Sequence, residues 1–438
     1  MKRLFLLIVF MIPLCIWSQK MDNVHIEEYD LPNGLHIILH KDINEPNVIV
    51  GTKYHVGSKD EEAGKTGFAH FFEHLLFHGT KNIPQGELEN IIFNAGGYCN
   101  AYTSYDVTYY YQLLPAHEFK LGLWVESERM LHPIITQKGI DREREIVKEE
   151  KRMRYDNKPL GNSYFNLMSE LYTYDTYGHN MIGSMDDLNN ASKADFESFF
   201  KRFYVPNNAS LVVSGNIDIE KTKKWIGLYF NDIPKGEKII RPKTFKNTLK
   251  LKRHKDFTIK GLEKESIEIG YPIMSQSNED APVMQLITSI LSGNSNFSYF
   301  ENNLKTEQDS VFNRLRASSS YWEKVGSLSI KAELNTTQSE AYFLQRVDEQ
   351  LELLKTEPVN PMVLDKAKKE FTASYIDIFY DAKTFADKVT NYYHLHKNTS
   401  DIKKLISEIE KVSGKDIQRV AKKYFDINNR IVIAYHTE

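Results

Sequence analysis

The feature that most constrains this chain is an internal repeat. Ser192–Gly215 (SKADFESFFKRFYVPNNASLVVSG) lies over Ser413–His436 (SGKDIQRVAKKYFDINNRIVIAYH) at a constant offset of 221 residues, with Asp195 on Asp416, Lys201 on Lys422 and Asn207-Asn208 on Asn428-Asn429. Each copy reads as an amphipathic helix ending in aromatics, an Asn-Asn turn and a β-branched strand. One copy closes each half of the 438 residues, so the chain reads as a duplication. A chain this long exceeds one ordinary core and suits two domains of about 200 residues.

The expected organisation is a leader over 1–18, a first domain over 19–232, a linker over 233–256 and a second domain over 257–438. The stretch 233–256 carries nine Lys or Arg residues and two prolines in place of apolar periodicity. It reads as a linker or as a solvated basic strand pair.

Within the first half, Leu35–His40 and Asn47–His55 read as strands, with the Asn33-Gly34 turn before the first. From Gly67 to His78 the apolar residues Phe68, Phe71, Phe72, Leu75 and Leu76 recur at helical spacing. A second long helix is expected from Ile140 to Arg154, with Ile146, Val147 and Met153 on its buried side. Between them Tyr98–Leu114 reads as two strands joined by a turn near Ser104–Asp106. The fold class is therefore α+β: two homologous domains, each a mostly antiparallel sheet packed with helices.

Lys2 and Arg3, the apolar run Leu4–Trp17 and the small Ser18 form a leader pattern, implying export with cleavage near Ser18 to a periplasmic or extracellular location. The run is shorter than the ~20 residues that span a bilayer. Only Cys99 then remains, which rules out an internal disulfide. With 56 basic and 59 acidic residues the net charge is −3, giving no electrostatic case for nucleic acid as a partner.

His70-Phe71-Phe72-Glu73-His74 places two imidazoles at i and i+4 on one helical face, where both can bind one ion. Glu73 can then reach a water on that ion without being a ligand, so it is the natural general base. The alternative is a helix whose polar stripe happens to carry histidines, a stripe that His78 lengthens.

With Gly67-Phe68-Ala69 before the motif and Leu75-Leu76-Phe77-His78-Gly79-Thr80 after it, the segment resembles the inverted-motif zinc peptidases of the pitrilysin, insulysin and mitochondrial processing peptidase family. The resemblance spans almost the whole chain. It implies a clam-shell half-chamber, one Zn2+ per chain and a glutamate as third ligand on a downstream helix, with a second acidic residue seven positions earlier. Glu143-Arg144-Glu145-Ile146-Val147-Lys148-Glu149-Glu150 matches that pattern, with Glu150 as ligand and Glu143 as its supporting partner. Glu149, turned roughly 100° from Glu150 on a helix, is the less favoured ligand. Asn100-Ala101-Tyr102-Thr103 resembles the family strand to which a peptide substrate adds, making Asn100 and Ala101 substrate contacts; a plain edge-strand asparagine is the alternative. Tyr177-Gly178-His179 and Ile182-Gly183-Ser184 resemble a structural loop of the family, with His179 away from the metal.

The second half holds no His-x-x-Glu-His. In the family it contributes an Arg and a Tyr that hold the substrate carbonyl. Leu304–Gln308 resembles that segment, with Lys305 at the Arg position and Phe312 at the Tyr position. Lysine loses the bidentate fork, and phenylalanine has no hydroxyl to donate. The resemblance thus implies a zinc metalloendopeptidase, or the metal-bearing subunit of a heterodimer whose second homologous subunit supplies the Arg/Tyr pair. A homodimer using Lys305, with Arg314, Arg316 or Tyr321 as substitutes, competes with this, and the runner-up function is an inactive structural or assembly protein.

Overall fold

The structure, a computed structural model, describes residues 24–173, 176–241, 253–293, 298–304, 312–335 and 340–438. The expected leader and Lys305 lie outside these residues.

The described residues divide into two compact units. One draws on the described residues of 1–144, 186–240 and 373–403, the other on those of 145–185, 241–372 and 404–438. The halves expected to be contiguous therefore contribute a segment to each other's unit. Apolar periodicity marks a helix but does not say which sheet it will cover.

The first unit holds β1 (Ile26–Asp30), β2 (His36–Lys41), β3 (Asn47–Tyr54), β4 (Tyr98–Thr103), β5 (Thr108–Pro115) and β6 (Ala209–Gly215), in sheet order β1-β2-β6-β3-β5-β4. The second holds β7 (Arg253–Ile259), β8 (Ser266–Ile273), β9 (Phe312–Tyr321), β10 (Gly326–Leu334) and β11 (Ile431–Thr437), in order β7-β11-β8-β10-β9. The two sheets share one topology. β6 runs parallel to β2 and antiparallel to β3, and β11 runs parallel to β7 and antiparallel to β8. All remaining pairs are antiparallel.

The helix of the repeat is borne out to the residue, and the strand after it begins one residue later in the second copy. The helices Lys193–Phe203 and Gly414–Tyr424 begin and end at the same offset of 221. Each opens with a reciprocal capping box, Ser192 with Asp195 and Ser413 with Asp416, which satisfies otherwise orphaned backbone donors.

Strand alternation sorts the first sheet's side chains between two helical layers. Ile49, Tyr109, Tyr111 and Val212 pack with Phe385 and Val389 of the helix Ala382–His396. On the opposite face Val50 abuts Gly122 of the helix Phe119–Leu131, and the Tyr110 hydroxyl donates to the Phe72 carbonyl at 3.0 Å. In the second unit, the helix Ala281–Ser292 packs against the helix Gly414–Tyr424 and is bonded to β9, Ser292 Oγ donating to the Ala317 carbonyl at 2.9 Å.

The second long helix spans Gln137–Lys151 and continues as a π-helical turn over Arg152–Asp156. Of its expected buried residues only Val147 is buried; Ile146 and Met153 are exposed. The inward face is instead Ile140, Glu143 and Val147, because a polar site lies opposite Glu143. Within the expected linker, Ile233 is buried and Asn33 donates to its carbonyl at 3.0 Å, while Arg253–Asp256 already belong to β7. Residues 242–252 lie outside the described set. No described helix is long and apolar enough to cross a membrane.

Candidate metal centre

The helix Phe68–Leu75 buries Phe68, Ala69, Phe71, Phe72 and Leu75 and leaves His70, Glu73 and His74 on its half-buried side. Its platform is the helix of the repeat. Phe68 and Phe71 meet the Phe196 ring at 4.7 and 4.6 Å, and Phe72 stacks on Phe199 at 5.6 Å. Aromatic pairs at these separations add directional packing to the area they bury. The duplication therefore supplies the bed on which the motif lies.

The start of this helix is fixed from outside it. Gly67 occupies the cap position at φ 88°, a left-handed conformation that favours glycine, and it has no side chain with which to cap. The buried Glu61 substitutes: its two carboxylate oxygens accept the backbone N–H groups of Gly67 and Ala69, each at 2.8 Å. Asp187 accepts the Thr66 backbone N–H at 3.0 Å and its hydroxyl as well, and Lys65 pairs with Asp195 of the repeat helix at 2.8 Å. The turn that leads into the helix is thus anchored at Lys65, Thr66, Gly67 and Ala69.

His70 and His74 stand one turn apart with ring centroids 5.0 Å from each other. One ligand atom each of His70, His74 and Glu150 lies within 4.8 Å of the others, and among the described residues this is the single cluster of that kind. Two imidazoles and a carboxylate are the donor set of hydrolytic zinc sites. Tetrahedral zinc needs ligand atoms roughly 3.4 Å apart, a closure that side-chain rotation can supply. The residues present fit the metal. Glu150 also meets Arg154 at 2.8 Å, whereas Glu149 is exposed and paired with Arg152 at 3.0 Å, away from the histidines.

Glu143, seven residues before Glu150, is buried against the histidine helix. Its Oε2 lies 3.3 Å from His74 Nδ1 and its Oε1 2.6 Å from His78 Nε2. Burial alone would raise its pKa, but the pull of His74 and His78, led by their hydrogen bonds, outweighs it and holds the carboxyl down at about 2. Glu143 is therefore a carboxylate. Behind Glu73, the Tyr110 and Tyr204 phenols are pushed up first by burial, with the Glu73 charge adding to the shift.

β4 is an edge of its sheet. Ala101 presents its backbone N–H away from β5 and donates it to Asn100 Oδ1 at 2.8 Å, so the asparagine covers the hydrogen-bonding position that an added strand would use. The Asn100 amide in turn donates to the Tyr98 hydroxyl. Thr103 Oγ1 reaches the Ala69 carbonyl at 3.4 Å, linking this strand to the metal helix. Tyr102 donates to Asp387, which also receives Lys53 Nζ at 2.7 Å.

Other expected residues fall elsewhere. Phe312 is 2% exposed, at the start of β9 within the core of the second unit, paired with Leu334. Tyr321 is half-buried at the end of β9, its hydroxyl pushed up by burial, and Arg314 is exposed beside Glu333. Tyr177 is fully buried, and Gly183 takes a positive φ of 87° in the loop that follows. The helix Ala281–Ser292, which occupies the metal helix's place in the second copy, contains no His or Glu.

Two residues escaped the sequence reading. Glu61 sits six positions ahead of the backbone it caps, so no local cap pattern marks it. His78 did carry a signal, as the third step in the spacing 70, 74, 78, but a polar stripe explains that spacing equally well.

Residues 36–184 match the insulinase family, peptidase family M16, and residues 190–371 match the peptidase M16 inactive domain. The zinc protease PqqE of Helicobacter pylori is 28% identical over 422 residues, which cover 91% of this chain and 90% of that protein. Mitochondrial-processing peptidase subunit beta of Saccharomyces cerevisiae is 29% identical over 211 residues, 47% of this chain and 45% of its own length. A protease from Helicobacter pylori of known structure superposes with a TM-score of 0.88 at 25% identity, covering 94% of this chain and 99% of that one. The periplasmic protease PqqL from Escherichia coli superposes with a TM-score of 0.77 at 17% identity, over 94% of this chain but 47% of that one.

Proposed function

Taking as premise that the chain belongs to the insulinase (M16) peptidase family, we propose that it is a zinc metalloendopeptidase whose metal is held by His70, His74 and Glu150. The observation that carries this reading is the approach of those three side chains within 4.8 Å, with Glu73 on the turn between the histidines. Bound zinc would supply Lewis acidity to activate water and polarise a peptide carbonyl. Glu73 accepts the proton of the attacking water and passes it to the departing amine. Asn100 and Ala101 on β4 receive the substrate backbone as an added strand once the Asn100 side chain gives up the Ala101 N–H it covers, which sets the scissile bond relative to the histidine helix. Glu143 orients His74.

The substrates are peptides or unfolded segments, and the chain is exported to the periplasm or outside the cell. A second homologous chain supplies the carbonyl clamp. The buried Phe312 supports that division, because it brings neither a hydroxyl nor an exposed side chain to the position where the family places its tyrosine. The longer relative, of which this chain spans 47%, supports it too.

The test is zinc content and cleavage of a denatured protein by the chain alone and with each homologous chain from the same genome. Stoichiometric zinc with cleavage that a partner raises supports the account. Zinc-bound protein that cuts nothing in any pairing supports the assembly-protein reading instead.

A further inference from the structure

We infer that His78 and Gln85 are positioning residues for the metal: they lock Glu143 onto His74 through a directed chain of hydrogen bonds. The inference rests on the reading of His70, His74 and Glu150 as zinc ligands.

The direction of the chain follows from donor chemistry. Gln85 Nε2 lies 3.2 Å from His78 Nδ1, and an amide nitrogen only donates. His78 Nδ1 therefore accepts, and in the neutral ring the proton sits on Nε2. That Nε2–H points at Glu143 Oε1, 2.6 Å away. The other carboxylate oxygen, Oε2, faces His74 Nδ1 at 3.3 Å and accepts from it. With Nδ1 of His74 protonated and engaged, Nε2 is left with a lone pair for the metal. Gln85 thus sets His78, His78 sets Glu143, and Glu143 sets the tautomer and plane of a zinc ligand.

The surrounding backbone keeps the chain rigid. The His78 carbonyl accepts the Gly86 N–H at 2.9 Å, so the residue after Gln85 is tied to His78 as well. Gly139, on the helix that carries Glu143, approaches so closely that a Cβ there would lie 3.1 Å from His78 Nδ1. The His78 side chain is 10% exposed and that of Glu143 8%, so bulk water does not compete for the short bond. A carboxylate held by one imidazole can swing; one held by two, His74 on the helix Phe68–Leu75 and His78 in the bend just past its end, cannot do so without breaking a bond. A histidine at this place serves Glu143 although it never touches the ion.

The test is zinc affinity of the full chain, measured by competition with a chromophoric chelator, for wild type, His78→Leu, His78→Gln and Gln85→Ala. His78→Leu is expected to weaken zinc binding about 10- to 100-fold. His78→Gln, which keeps a donor for Glu143, is expected to recover most of that loss, and Gln85→Ala to show a smaller one. In ¹⁵N spectra His74 is expected to be a clean Nδ1–H tautomer in wild type and a mixture in His78→Leu. The thermal midpoint of the metal-free chain controls for folding, and Gln85→Ala carries the test if His78→Leu is unstable. Zinc affinity and His74 tautomer unchanged in His78→Leu, or in Gln85→Ala where that variant carries the test, would overturn the inference while leaving the metal site intact. A wild type that holds no zinc, or holds it equally after His70→Ala, would overturn the metal reading and this inference with it.

Discussion

Glu61 accepts the backbone N–H of Gly67 at 2.8 Å, six residues further along the chain, and so supplies from a distance the cap that Gly67 cannot make. Its second oxygen takes the Ala69 N–H at the same distance, one residue before the first histidine of the motif. Glu61→Ala leaves both donors buried without an acceptor and is expected to cost about 1–3 kcal/mol. Glu61→Gln keeps one accepting oxygen and should cost less. Urea unfolding of the metal-free chain measures both.

Gly67→Ala tests the same junction through the backbone. At φ 88° a Cβ costs roughly 1–2 kcal/mol, and the strain falls on the turn that launches the metal helix. The expected result is a lower unfolding midpoint and weaker zinc binding in one variant. Loss of stability with unchanged zinc affinity would separate the cap from the site.

Lys53 and Asp387 bind the helix Ala382–His396 to the first sheet. Lys53 is fully buried, and burial drives its pKa down to about 8 despite the opposing pull of Asp387. Removing one partner strands the other, so Asp387→Ala is expected to cost about 3–5 kcal/mol. Lys53→Met with Asp387→Leu should recover most of it. Because Tyr102 of β4 also donates to Asp387, the single variant should loosen the edge strand, readable as faster amide exchange in Tyr98–Thr103.

In the second unit Asp280 is buried and receives Arg419 at 2.6 Å and Lys423 at 2.7 Å. Burial raises its pKa, but the two cations more than offset this and hold it below the ordinary aspartate value. A depressed folded-state pKa contributes stability that is present above the unfolded value near 3.9 and lost as pH falls through the folded value. Wild type should therefore lose this contribution below about pH 4. Asp280→Asn should lack that part of the acid limb and be about 1–3 kcal/mol less stable at pH 7. Urea midpoints between pH 3 and 7 compare the two.

The elements that local pattern controls were legible in the sequence. The strands β2 to β5, the metal helix and both copies of the repeat follow from period and turn chemistry, and the repeat's helix ends coincide at one offset. The proposed ligand set could be put forward from the sequence because His70 and His74 obey helical spacing and Glu150 stands in an acidic helix that the family resemblance singles out. Ile146 and Met153 were misassigned because the inward face of the helix Gln137–Lys151 runs through Ile140, Glu143 and Val147, so that a charged residue takes one of its buried positions, and Met153 falls in the π-helical turn beyond it. The exchange of segments between units was invisible, since the hydrogen-bond partners of the helix Ala382–His396 in β6 and β3 lie 184 to 341 residues away along the chain. Glu61 and His78 act through contacts that no local motif encodes.

The most direct measurement is peptide cleavage by Glu73→Gln beside wild type, each loaded with zinc and supplied with whichever chain maximises wild-type activity. The amide that replaces the carboxylate cannot take the water's proton, while His70, His74 and Glu150 stay in place. The account predicts full zinc occupancy, an unchanged unfolding midpoint and cleavage reduced by at least about 10²-fold. Cleavage by Glu73→Gln at the wild-type rate would contradict it.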